Sequence, residues 1–82
     1  MFDRLFYMVD HSWFDLPSGV LKIAALVANN MDGEPVTVQD VARAWGVEKA
    51  VAMKWIGEGI ALRVISLNEY GELSAYAYLK PA

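Results

Sequence analysis

At 82 residues, with 56% hydrophobic residues and a net charge of −3, the chain is expected to be one small domain, 1–82, and not a disordered segment. The absence of cysteine excludes disulfides and thiolate chemistry, and it fits a cytoplasmic protein. Phosphate binding rests on Lys and Arg, so an acidic chain must gather its seven basic residues on one face or serve a partner other than DNA.

The chain opens with MFDRLFYMVD, where Asp3 and Asp10 surround the apolar residues and no small-residue cleavage site follows. It is therefore not expected to be a signal peptide. Within it, Leu5 to Val9 reads as a short strand. DHSWFDLP, Asp10 to Pro17, reads as a loop or turn holding the only His. Ser18 is placed to cap a first helix running to about Asn30. That helix is apolar nearly all round, Lys22 being its main polar interruption. Either the rest of the chain covers it or it meets another chain. Its longest apolar run, Ile23 to Ala28, is too short to span a bilayer, and no membrane association is expected.

Asn29, Asn30 and the segment MDGEP make a turn. Asp32 and Glu34 lack the further oxygen ligands of a calcium loop. Thr37 can cap the next helix, with Asp40 three residues on as a weak form of the capping box. Val38, Val41, Ala42 and Trp45 follow helical spacing, and Gly46 ends the helix. Val47 is then a buried turn residue, and a third helix runs from about Glu48 to Leu62. Gly57 and Gly59 in its last turns predict an early end or very close packing.

The period changes after Leu62. RVISL, NEYG and ELSAYAYL read as strand, turn and strand, with Pro81 stopping the second strand. Alternation puts Tyr76 and Tyr78 on one face, opposite Leu73 and Leu79. Those rings either cover the edge of a small core or form a contact patch. Trp13, Trp45 and Trp55 are expected in the core.

His11 has no second His or Cys to share a transition metal, and adjacent Asp10, His11 and Ser12 cannot form a relay. No Gly-rich phosphate loop lies between a strand and a helix. The chain is not expected to be an enzyme, nor to take a cofactor, metal or small-molecule ligand.

YMVDHSWFDLPSGVLKIAALVANNMDGEPVTVQDVARAWGV resembles the winged-helix domains of phage and plasmid replication and regulatory proteins. In these a short strand and a turn lead to a first helix opening with Leu-Pro-Ser, then a loop and a helix-turn-helix. The resemblance covers Leu5 to Leu79, with Ala42, Gly46, Val47 and Ile56 matching the buried pattern of the motif. It implies an α+β fold: a three-helix helix-turn-helix core, a short N-terminal strand and a C-terminal hairpin wing. It also implies that the first half of the third helix enters a major groove, presenting Lys49, Ala50, Met53 and Lys54, with Arg43 nearby. The wing tip, with Asn68 and Tyr70, would lie near the backbone or minor groove.

Two functions follow. One is a DNA-binding regulator or replication accessory protein on double-stranded DNA, acting as a homodimer that doubles Arg43, Lys49 and Lys54. The other is a protein-binding winged helix, like phage-encoded inhibitors such as anti-CRISPR proteins. It would engage a basic partner in a host nucleic-acid-handling complex through Asp32, Glu34, Glu69, Tyr70, Glu72, Tyr76 and Tyr78. The fold resemblance tips the expectation to DNA. The acidic balance and the bland third helix favour protein.

Overall fold

The computed structural model describes residues 11–30 and 34–79. The expected strand Leu5–Val9 lies outside them, as do Met31 to Gly33 and Lys80 to Ala82.

The chain enters through a 3-10 turn, His11–Asp15. Helix α1, Ser18–Ala28, starts one position earlier than the Ser18 cap implied. Pro17 holds the N-cap position at φ −54°, ψ 146°, and its carbonyl accepts from the Leu21 amide at 3.0 Å. Ser18 is therefore the first helical residue and not the cap. The helix also stops before Asn30. The Asn29 side chain donates to the Ala25 carbonyl at 2.8 Å, occupying an acceptor at the helix end.

Strand β1, Val36–Thr37, follows. It falls in the segment read from sequence as turn and cap, and two residues are too few to show a period. Helix α2, Val38–Trp45, opens with a complete capping box, stronger than the weak form expected. The Asp40 carboxylate accepts from the Thr37 amide at 2.9 Å, and Thr37 Oγ1 accepts from the Asp40 amide at 3.4 Å. Gly46 ends α2 in the left-handed region at φ 63°, a conformation that favours glycine.

Helix α3, Lys49–Ala61, ends in a Schellman-type cap. The Arg63 amide donates to the Ile60 carbonyl and the Val64 amide to the Gly59 carbonyl, both at 3.0 Å. Strands β2, Ile65–Leu67, and β3, Glu72–Ala75, form the hairpin around NEYG, with Gly71 at φ 80°. The sheet is antiparallel in the order β1-β3-β2, pairing Val36 with Leu73 and Ile65 with Ala75.

Strand β3 ends at Ala75, well short of Leu79. Beyond it the Tyr76 amide still donates to the Val64 carbonyl at 2.7 Å, and the 3-10 turn takes the next backbone groups. The Trp13 indole donates to the Tyr76 carbonyl at 2.8 Å, and the Tyr78 amide donates to Ser12 Oγ at 2.9 Å. The expected alternation fails there: Tyr76 is exposed, while Tyr78 packs half-buried against the core.

The core joins all three helices through Val20, Ile23, Val41 and Ile56, each fully buried, and the sheet through buried Val36, Ile65 and Leu73. Burying an aliphatic side chain of this size contributes about 1.5–3 kcal/mol. The described residues thus form an α+β domain of three α-helices and a three-stranded antiparallel sheet, consistent with the winged-helix layout expected. No helix among them is long and apolar enough to cross a membrane.

Candidate nucleic-acid interface

Helix α3 buries one side and shows the other. Ala52, Ile56 and Gly59 are buried, and Ala50, Met53, Lys54 and Gly57 face outward. This matches the spacing of the sequence, because residues three, four and seven apart share a helix face. Lys49, Ala50 and Lys54 are exposed, and Met53 is 46% exposed. The α3 N-cap, Glu48, makes no side-chain cap hydrogen bond.

Arg43 is exposed on α2. A further cation, not singled out from sequence, joins these. The Lys22 ammonium of α1 lies 5.7 Å from the Trp45 ring centre and 5.3 Å from that of Trp55. Four of the five cations among the described residues thus sit on the α2–α3 pair or over its rings. Asp40, Glu48 and Glu58 offset part of that charge, and the Asp40 carboxylate is already engaged in its cap. The one signal in the sequence was the lone Lys of an apolar helix. Its neighbours, Trp45 and Trp55, come from elements far along the chain.

The two helix-turn-helix tryptophans are half-buried and not fully in the core, unlike Trp13. Trp55 takes its place because Gly19 has no side chain. A Cβ there would fall 2.4 Å from Trp55 Cδ1. Among the described residues the buried Trp45 indole N–H finds no acceptor. Val47 and Ala42 are half-buried, and Gly46 is exposed. Of the four positions matched to the buried pattern, only Ile56 is fully enclosed, because the turn lies on the surface.

At the wing tip Asn68 is committed to the turn. Its side-chain oxygen accepts from the Tyr70 and Glu72 amides, each at 2.9 Å, and its amide donates to the Glu72 carboxylate at 2.7 Å. Asn68 therefore holds the wing in shape and has fewer groups left for a base edge. Tyr70 is 77% exposed beside it. The wing carries Glu69 and Glu72 and no Lys or Arg.

The residues of the protein-binding expectation do not all converge. Asp32 lies outside the described residues, and Glu34 is exposed at the far end of α1. The Glu34 carbonyl accepts from the Asn30 side chain. Tyr76 is exposed, and its hydroxyl accepts from Ser66 Oγ at 3.3 Å. Tyr78 is turned to the core, so the two tyrosines do not share one outward face.

His11 is exposed and meets Phe14 edge-on at 5.9 Å. Among the described residues no group of three His, Asp or Glu side chains is placed to hold a metal ion. A cleft of about 350 Å³ opens between the end of α1 and α2, lined by Asn29, Glu34 and Asp40 among others. It lies away from the α3 face. No family model matches the chain, and neither curated proteins nor solved structures give a match.

Proposed function

We propose that the chain is a winged-helix DNA-binding protein of the phage or plasmid regulatory or replication-accessory kind. The observation that carries this reading is the gathering of Lys22, Arg43, Lys49 and Lys54 about the helix-turn-helix of an otherwise acidic chain. Lys49, Lys54 and Arg43 neutralise phosphates flanking the groove. Ala50 and Met53 lie on the groove-facing side of α3, where small and apolar side chains meet thymine methyl groups. No Arg, Asn or Gln stands on that face for a bidentate base contact, so phosphate contacts supply most of the affinity.

Binding to a random-sequence duplex, followed by fluorescence anisotropy across salt concentrations, tests this. Three or four phosphate contacts per copy give a slope of about −3 for log K against log salt. A dimer doubles it. No binding at low salt overturns the DNA reading.

A second reading has its own support. Met53 and Ile60 lie seven residues apart on one side of α3, and both are exposed. Val51, Leu67 and Tyr70 are exposed as well. A protein-binding winged helix uses such a surface, with desolvated aromatic and Met anchors carrying the energy. A chain that fails to bind duplex at low salt favours this reading.

A further inference from the structure

Lys22 is the cation that comes to the helix-turn-helix from outside it. Its ammonium lies within 6 Å of two indole rings, one closing α2 and the other in the middle of α3. Such contacts are attractive because the ring face is negative. One turn earlier on α1, Gly19 leaves the space that Trp55 occupies. Trp55 thus packs against the α1 backbone at Gly19 with the Lys22 ammonium over its ring.

This arrangement restrains a side chain that is ordinarily mobile. A free lysine loses about 2 kcal/mol of rotamer entropy when a ligand immobilises it. Here the two rings have already narrowed its positions. They use its charge without accepting its N–H hydrogen bonds in the way a carboxylate would. No carboxylate among the described residues forms an ion pair with Lys22, and the side chain is exposed. A restrained, exposed cation with no ion-pair partner among the described residues suits an anionic oxygen.

We infer that Lys22 is a preorganised phosphate contact, taking a backbone phosphate of the duplex whose groove α3 enters. This inference rests on the DNA reading proposed above. It adds a residue of α1 to the interface and gives the paired tryptophans a role in holding it.

The test compares the wild-type chain with Lys22→Met, Lys22→Gln, Lys22→Arg and, as a control for net charge, Arg63→Met. Each variant is checked for folding by circular dichroism and then titrated with duplex DNA across salt. The expected result is a slope smaller in magnitude by about 0.9 per bound copy for Lys22→Met and Lys22→Gln. Lys22→Arg and Arg63→Met keep the wild-type slope. Lys22→Gln keeps a polar side chain on the surface, so the test stands if the methionine variant does not fold. An unchanged slope in the folded Lys22→Met or Lys22→Gln variant overturns the inference while leaving the DNA reading intact. An equal loss in Arg63→Met also overturns it, since the effect is then one of net charge. A wild-type chain that binds no duplex overturns the DNA reading itself, and the inference falls with it.

Discussion

Gly57 and Gly59 stand two residues apart in α3 and carry opposite consequences. A Cβ at Gly59 would fall 2.5 Å from Ile65 Cγ1 and 3.0 Å from its Cβ, both in a buried β2 side chain. At Gly57 it would meet nothing within 4 Å. Gly59→Ala is expected to destabilise the fold by about 1–3 kcal/mol through overpacking. Gly57→Ala should stabilise it by about 1 kcal/mol through helix propensity. Urea denaturation of both variants measures this, and shifts of the same sign would contradict the packing. Arg63 is the third telling residue. It occupies the left-handed position after α3 at φ 61°, where a Cβ meets the following carbonyl and glycine is the usual occupant. Arg63→Gly is expected to raise stability by about 0.5–1 kcal/mol, because relief of that clash exceeds the lost charge at the helix end. An unchanged or lower midpoint in thermal melting would refute the strain.

At the scale of the element, the cap of α2 ties stability to pH. The Asp40 carboxyl is held below its ordinary value, first by the Thr37 amide, then by the Thr37 hydroxyl, with Arg43 adding a smaller attraction. A group whose pKa is lowered on folding stabilises the fold above its unfolded pKa, about 3.9 for Asp. That contribution is lost as pH falls through the lower folded value. Asp40→Asn should cost about 1 kcal/mol near neutral pH, as capping losses do. The gap between variant and wild type should narrow as the carboxylate is protonated. Thermal melts from neutral to strongly acidic pH read this directly, and a gap independent of pH would contradict the assignment. The same element was legible in the sequence, since Thr37, Asp40 and Gly46 act through neighbours in the chain. The strand β3 was legible only to Ala75. Its alternation continues through Leu79, but side chains of the 3-10 turn, more than sixty residues away, take the Tyr76 carbonyl and the Tyr78 amide.

Across the whole molecule, the apolar first helix turns out to be covered by its own chain. Helix α1 packs on α3, β3 and the 3-10 turn, and none of its large apolar side chains is left exposed. The expectation that this helix meets another chain is not needed to explain its composition. The exposed apolar surface lies elsewhere, on Phe14, on the outer side of α3 and along the hairpin to Leu79. The charge is distributed unevenly too. The described basic residues lie mainly about the helix-turn-helix, and the wing is acidic. For that reason a docking surface is described better by position in the fold than by net charge.

The sequence by itself determined the helix-turn-helix, its cap and glycine turn, the hairpin loop and the outward face of α3. Each follows from residues within a turn or two of one another, where period and capping chemistry are readable. Only the tertiary structure decided the two-residue strand β1, the end of β3, the enclosure of α1 and the place of Lys22 between two indoles. These rest on pairings between distant segments, such as Gly19 with Trp55 and Trp13 with Tyr76, which leave no local pattern. The cation that joins the candidate interface from α1 could therefore be named only once the three helices were packed.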